Sequence, residues 1–471
     1  MKAGRALSHL LLVSNLLVAP TTFAMQALDD QALSEVAGQA LFYTQYTAPD
    51  AAQANTNFGF YRVGIEAQMQ LNANIKSLRL GCDGPNGTGL CDISIDNLSL
   101  SGDGATRNAR VESDAIITNP FFEVAIKNPN SASTREIAGV RFSAANINGL
   151  LTTGVENSDT PNGINSVSGY MKVQSDSSGL IKGFASTAAA RDNLFGANEV
   201  QGTLLAKALG LTVATARFKT VGGGFNIPQI NNNPFSTPAI VINESRKSSV
   251  TLNSVVNVPS INLNKNNATN GTVSYNTSVT PNTPTGVQTQ GGPVVAEVIS
   301  CSGFGCTLAG VGPGDRFNDV QMAGNIQNIR ANLELTQALG MIHSLPINSA
   351  SSLSLQKESI KWPGSVADDT AQAGWWLSLS DPVNIGNVIP ANLIDINPLF
   401  PQISAAVTNY LSTPGNEAET TDLAALLFGG TLDVNIGNID LSPYPLNLPL
   451  SNLKLATQDF APNCYGSLTF C

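Results

Sequence analysis

The chain has 471 residues, of which only 12% are charged, with 34 acidic against 24 basic side chains and a formal net charge of -10. That is about half the usual charged share. Nothing clusters into a basic groove, which excludes nucleic acid as a partner. Asn, Ser, Thr and Gln supply the polarity instead, a composition suited to exposed β-structure and to contact surfaces that desolvate little charge.

Residues 1–24 have three parts: Lys2 and Arg5, the apolar run 10–19, and Thr22-Phe23-Ala24, with small residues at alternate positions. This is the pattern of a secretory signal, too short to span a bilayer of about 30 Å. Its removal takes two basic residues, leaving the mature chain more acidic than -10. Residues 25–40 read as a short amphipathic helix with Leu33, Val36 and Ala40 on one side, ended by Gly38. Beyond the signal no apolar run reaches 18 residues, so no transmembrane helix is expected.

Between positions 63 and 76 the odd residues Val63, Ile65, Ala67, Met69, Leu71, Ala73 and Ile75 are apolar, while Glu66, Gln68, Gln70, Asn72, Asn74 and Lys76 alternate with them. The period of two predicts one long strand with a dry and a wet face. After it, Gly84-Pro85-Asn86-Gly87 forms a loop between Cys82 and Cys91. Ile93 and Ile95 then alternate until the phase slips at Asn97, which predicts a bulge.

Residues 222–292 are rich in Asn, Thr, Pro and Gly but contain the alternating pairs Val250/Leu252 and Val256/Val258, so they read as ordered β with long loops. Residues 329–345 predict a second long strand, with Gln337 and His343 on its apolar face. Trp375/Leu377/Leu379 and Leu432/Val434/Ile436 continue the alternation. Two helical signals interrupt it: Pro398 followed by Leu399, Ile403, Val407 and Leu411 with a stop at Pro414-Gly415, and residues 422–428 before Gly429-Gly430.

The expected fold is therefore all-β, predominantly antiparallel with long amphipathic strands and a short helical insertion near the C-terminus. After the signal it divides into an N-terminal β region with a short leading helix (25–221), the Asn/Thr/Pro-rich region (222–292) and a C-terminal β region (293–471) with its helical insertion at about 397–428.

The six cysteines form three close pairs: Cys82 and Cys91, Cys301 and Cys306, Cys464 and Cys471. An even count in an exported chain reads as disulfides, with 15 connectivities open and the local pairings favoured by proximity. Neither metal nor cofactor is expected, since no Cys-x-x-Cys occurs and His343 is the one histidine of the mature chain. That residue, on an apolar face, reads as a buried, hydrogen-bonded core histidine rather than a catalytic base.

The remaining chemistry is equally thin. Gly310-Val311-Gly312-Pro313-Gly314 lacks the Lys-Ser/Thr of a phosphate loop and reads as a turn. Asp29/Asp30, Asp92/Asp96 and Asp368/Asp369 read as acids on solvated strand faces rather than a glycosidase pair. In a strand, Trp375 and Trp376 point to opposite faces, placing one indole in the core and the other toward the surface. No enzyme is expected.

The segment Leu28-Asp29-Asp30 … Leu33 … Val36-Ala37-Gly38-Gln39 resembles the start of a group of poorly characterised exported proteins of gammaproteobacteria such as Pseudomonas and Acinetobacter. Asn119-Pro120-Phe121-Phe122-Glu123, Pro234-Phe235-Ser236-Thr237-Pro238, Gly374-Trp375-Trp376 and the ending 462–471 carry the same resemblance. It implies a protein of the cell surface or envelope, linked with surface filaments.

These readings lead to a non-catalytic protein exported through the inner membrane to the cell surface, outer membrane or medium, with the periplasm as the nearer alternative. It would be structural or adhesive, assembling with itself or with other envelope proteins. The competing expectation is a soluble carrier holding a lipid or other apolar ligand between amphipathic sheets.

Overall fold

The computed structural model describes residues 41–50, 57–174, 180–185, 200–220, 225–226, 233–258, 260–263, 272–275, 294–301, 303, 312–396, 398–422, 432–461 and 463. The expected signal, leading helix and second short helix lie outside them. The chain is predominantly β with mostly antiparallel sheets, as its alternation predicts.

Its first half contributes β1 (Phe42–Thr47), β2 (Phe58–Ile65), β3 (Gln68–Leu71), β4 (Ala73–Leu80), β5 (Ile93–Ser101), the short helix α1 (Arg107–Val111), β6 (Ala115–Lys127), β7 (Glu136–Thr152), β8 (Ile164–Gln174), β9 (Leu180–Ala185), β10 (Gln201–Ala208) and β11 (Leu211–Thr220). There follow β12 (Phe225–Asn226), β13 (Asn233–Pro238), β14 (Ile240–Lys247), β15 (Ser249–Val258), β16 (Ile261–Leu263), β17 (Thr272–Tyr275), β18 (Val294–Cys301), β19 (Arg316–Gln327), β20 (Ile329–Ala338), β21 (Ser344–Gln356), β22 (Gly374–Leu379), β23 (Val383–Asn384), helix α2 (Leu399–Leu411), β24 (Ala418–Thr420), β25 (Leu432–Asp440) and β26 (Leu446–Ser451).

A twelve-stranded sheet runs β1-β2-β6-β7-β21-β22-β8-β5-β4, and β5 pairs back onto β7. The ring β5-β7-β21-β22-β8 therefore closes on itself. A nine-stranded sheet does the same where β19 pairs with β25, closing β19-β18-β11-β10-β24-β25. Closure removes strand edges that would otherwise be left unpaired. The first sheet nevertheless retains a free run, β1-β2-β6, hanging off its ring at β7.

One continuous apolar core joins the two rings. It draws Ile93, Val167 and Met171 from the first, Phe218, Val320 and Val434 from the second, and Val250, Leu252, Val256 and Val258 from β15. Strict alternation in β15 explains its place there, since every even position from Val250 to Val258 is buried and every odd one from Thr251 to Asn257 exposed. Helix α2 lays Leu399, Ile403, Val407 and Leu411 on the same core, as its spacing predicts. Pro398 sits one position earlier than expected, at the cap rather than in the first turn.

Three expectations of strand length and phase are corrected. Residues 63–76 form parts of three strands: β2 and β3 pair with β6, whereas β4 pairs with β5. The ladder breaks at Ala67, whose carbonyl accepts from Asn119 N, and at Asn72, whose amide donates to the carbonyls of Arg110 and Ser113 at 2.9 and 2.8 Å. Nor is its apolar side dry, because Val63, Met69, Leu71 and Ile75 are all exposed.

The second long strand ends at Ala338. A 3-10 turn, Leu339–Met341, then redirects the chain into β21, with Leu339, Met341, Ile342 and His343 all buried. The apolar run continues because the turn itself lies in the core.

Asn97 adopts a left-handed conformation with φ 52°, but no residue is inserted against β4, since Ser77↔Asp96 and Ile75↔Leu98 keep one register. The shift in β5 falls instead at Ser94/Ile95 against β8. Apart from Asn97 itself the odd positions are buried, and beyond it they are Ser99 and Ser101, which accept from the guanidinium of Arg110. The short α1 that carries Arg110, capped by Thr106 Oγ1 accepting from Ala109 N at 3.2 Å, is an element that periodicity does not reveal.

Candidate interaction site on the open sheet face

Register aligns the apolar residues of the free run into rows that cross the sheet. Val63 on β2 lies opposite Phe122 on β6, Phe122 opposite Phe142 on β7, Phe142 opposite Leu353 on β21, and Leu353 opposite Leu377 on β22. Two residues along, a second row runs Tyr46, Tyr61, Val124, Val140, Leu355, Trp375. Ring contacts tie both rows together laterally, with centroids 4.6 Å apart for Tyr46 and Tyr61 and 5.0 Å for Phe122 and Phe142.

The first row lines a trough of about 570 Å³, extended at one end by Phe42, Met69, Ile117 and Ile147, and the second row runs beside it on the same face. Phe42 is 65% exposed, Phe142 55% and Val63 49%. Contiguous exposed apolar surface of this kind marks interaction sites rather than ordinary surface.

The hollow arises from a line of irregularities. Asn119 in β6 is left-handed with φ 49°, so Ile117 before it and Phe122 after it reach the same side although they differ in parity. Beside it, β21 shifts register between Ser349 and Ser351 against β7. Such defects bend strands and increase twist. Pro120 is tolerated inside a central strand because it adjoins this irregularity.

Behind the trough, one residue out of phase, runs a buried polar row. Glu123, 1% exposed, accepts from Arg62 Nε at 3.1 Å and from Arg141 Nη2. Arg141 also donates to Pro363 O at 2.9 Å, and burial lowers its pKa although Glu123 opposes the shift. The Arg62 guanidinium lies 4.0 Å over the Phe121 ring, and that of Arg141 lies 5.1 Å over Trp362. Residues 357–373 roof this face, placing Ile360, Trp362 and Ala371 against Phe58, Phe60 and Trp376.

Comparison with protein-family models, curated proteins and solved structures gives no match.

The residues singled out in the sequence are dispersed around the sheets. Cys82 and Cys91 are disulfide-bonded. Asn86 in their loop donates to Asp92 Oδ1 at 2.9 Å and to Ala373 O at 2.8 Å. Cys301 is also disulfide-bonded, while Cys306, Cys464 and Cys471 fall outside the described residues.

His343 is fully buried and stacks on Phe460 at 5.6 Å. Its Nδ1 lies 3.0 Å from the carbonyl of Thr153 and so donates to it, leaving Nε2 without a hydrogen-bond partner. Gly312 and Asp315 close the glycine-rich turn, Gly312 N donating to Asp315 Oδ2 at 2.6 Å; Gly310 and Val311 lie outside the described residues.

Two of the acids, Asp92 and Asp369, depart from the solvated faces expected of them. Asp92 is fully buried and accepts from Trp375 N and Arg246 Nε, each at 3.0 Å. Asp369, 2% exposed, accepts from Trp376 Nε1 at 3.0 Å and from Ser378 Oγ. Asp96 and Asp368 stay near solvent as expected, Asp96 paired with Arg79 at 2.8 Å and Asp368 exposed; Asp29 and Asp30 are outside the described residues. The two indoles do face opposite ways, Trp376 being 1% exposed and Trp375 half-buried. A second hollow of about 610 Å³ over β15, β20 and β26 is lined by Asn253, Asn332, Glu334 and Asn447. Its amides already bond one another, Asn332 Nδ2 to Asn447 Oδ1 at 3.3 Å, so it makes a weaker case for a ligand.

Sequence reasoning missed the roles of Phe122, Phe142 and Leu353, which form the middle of the trough. The signal available was Asn119-Pro120-Phe121-Phe122-Glu123, where a strand-breaking pair meets two aromatics and an acid.

Proposed function

We propose that this is a non-catalytic exported protein of the cell surface or envelope, structural or adhesive, which assembles with copies of itself or other envelope proteins through the apolar trough. One observation carries the reading: two neighbouring cross-strand rows of apolar side chains, contributed by six strands, share one sheet face, and the first of them lines the trough with Phe42, Val63 and Phe142 about half or more exposed. Burying them against a partner yields roughly 25 cal/mol per Å² of apolar surface, and the aromatics at the centre are the residue types that dominate such contacts. The outer edge of β1, which pairs only with β2 among the described residues, adds backbone donors and acceptors that a partner strand can take up.

A non-catalytic role accords with the buried carboxylates, because Asp92, Glu123 and Asp369 are all engaged in internal hydrogen bonds. Export accords with the signal-like residues 1–24 and with the disulfide. The resemblance to filament-linked envelope proteins points the same way.

The test is native mass spectrometry and sedimentation of the mature protein with Phe142→Asp or Val63→Asp. Both side chains are about half exposed, so these variants should fold. The expected result is oligomers in the parent protein and monomers in the variants. Variants that assemble like the parent refute the reading, and a monomer carrying a discrete apolar mass in the trough replaces it with the carrier.

A further inference from the structure

Other sheet edges in this molecule carry devices that discourage pairing with a further strand. β4, at one end of the path through the first sheet, exposes Lys76 and Arg79. β26, at the end of the three-stranded sheet, contains Pro449, and the N–H and carbonyl of its Asn447 are both taken up by Gln402, each at 2.8 Å. β1, at the opposite end from β4, lacks all of these. It reads Phe-Tyr-Thr-Gln-Tyr-Thr, without charge, proline or shift of register, and among the described residues it pairs only with β2.

The phase of the ladder says which groups the outer edge presents. Glu66 N donates to Leu41 O at 2.9 Å, one step beyond Phe42↔Ile65, so the odd residues of β1 bond to β2. Bonded and non-bonded positions alternate in an antiparallel pair, and the N–H and C=O of Phe42, Thr44 and Tyr46 therefore point away from β2. The bond from Asn128 N to Asn57 O at 2.8 Å gives the same phase on the other side of β2. These even residues also share the trough face, Phe42 lining the hollow and Tyr46 lying against the Tyr61 ring.

From this we infer that two copies of the chain pair through β1, antiparallel about a two-fold axis at Thr44. The register that engages every outward-facing residue sets Phe42 of each protomer opposite Tyr46 of its partner, and Thr44 opposite Thr44. An axis perpendicular to the sheet keeps both troughs on one side. Because Thr44 lies opposite Val63, the first apolar row then continues from one protomer through the paired Thr44 residues into the row of its partner. An uncharged strand meets its own copy without opposing like charges, and Phe42 with Tyr46 makes a favourable aromatic cross-strand pair. A strand of this length is too short to hold a dimer unaided, since a standard interface engages about 20–30 residues a side. The inference therefore rests on the reading of the trough as the assembly surface and adds the partner and the register: pairing fixes the geometry and the trough supplies the buried area.

The experiment places charge on the axis. Thr44 is exposed, so Thr44→Lys and Thr44→Glu should leave β1 folded on β2. In either variant alone, like charges face each other across a backbone separation of about 5.5 Å. Sedimentation of the full mature chain should then show self-association weaker than the parent's by about tenfold or more. An equimolar mixture of the two, one of them isotopically labelled, should recover oligomers that contain both, as read by native mass spectrometry. Either variant associating as strongly as the parent, or a mixture no better than its components, overturns the inference.

The two ideas fail separately. Charge variants that associate like the parent, beside a monomeric Phe142→Asp, remove the pairing and keep the trough. Recovery in the mixture, beside Phe142→Asp oligomers equal to the parent's, removes the trough reading and keeps the pairing.

Discussion

Replacing Glu123 by Gln removes one negative charge from a buried cluster of two cations and a single carboxylate. Arg141, 4% exposed at its side chain, loses its salt-bridge partner and keeps only the weaker influence of Asp369, whereas Arg62, at 20%, can turn toward water. Leaving one buried charge uncompensated costs about 3–5 kcal/mol, while replacing both partners by apolar groups of similar volume is often neutral. Glu123→Gln should therefore lower stability by about 3 kcal/mol, and Glu123→Leu combined with Arg141→Met should recover most of that loss. The assay is urea unfolding followed by tryptophan fluorescence, with the midpoint read at constant slope. Trp362 stands 5.1 Å from the Arg141 guanidinium and reports the site directly. A Glu123→Gln variant within about 1 kcal/mol of the parent, or a double variant whose losses simply add, refutes the argument. The result bears on function because Glu123 and Phe122 are adjacent on β6: the polar row backs the apolar one, and loosening it should weaken assembly too.

Other outcomes follow from single sites. Asn119→Ala keeps the β-carbon at φ 49° but loses the short polar side chain that makes this region tolerable, and should cost about 1 kcal/mol, while Asn119→Gly should not, as thermal melts would show. Changing Cys82 and Cys91 to Ser opens a short loop and should cost about 2–3 kcal/mol in denaturant titrations, and reduction of the parent, which also opens the disulfide at Cys301, should cost at least as much. His343 is buried, and its pKa is lowered by desolvation. The unfolded chain then binds more protons below the ordinary histidine value of about 6.5, so stability falls as pH drops through that value and is unaffected well above it. His343→Gln should flatten this dependence between about pH 7 and 5, and a slope that persists unchanged assigns it to other groups.

Much of the fold is legible in the sequence because period-two alternation records directly which side of a strand is buried. β15 and β25 follow it almost residue by residue, and α2 follows its own period in the same way. What alternation cannot carry is where a ladder changes partner. Residues 63–76 keep their phase through two breaks, at Ala67 and Asn72, caused by bonds to Asn119 and Arg110 that are remote in sequence. Buried acids were misread for a related reason. Asp92 and Asp369 resemble surface residues until Arg246 and Trp376 arrive from other strands to satisfy them.

The trough exposes a deeper ambiguity. A strand with one apolar side announces that something covers that side, but the identity of the cover is not encoded in the strand. For β15 the cover is the shared core of the two rings, and for Val63 and Met69 on β2 and β3 the described structure leaves the side open. Both strands have the same alternation; they differ only in their place, one within the packed layers and the other on a run that hangs off a closed ring. Layering is what separates them: β15 stands outside both rings, in a three-stranded sheet with β20 and β26 whose apolar side packs into the shared core. A strand between packed layers must bury that side there, while a strand on a run outside them is free to keep it for a partner. If that argument is right, introducing charge on the run should impair assembly and spare folding, whereas charge at Val250 or Val256 should do the reverse, because burying an unpaired charge in the core destabilises the whole chain.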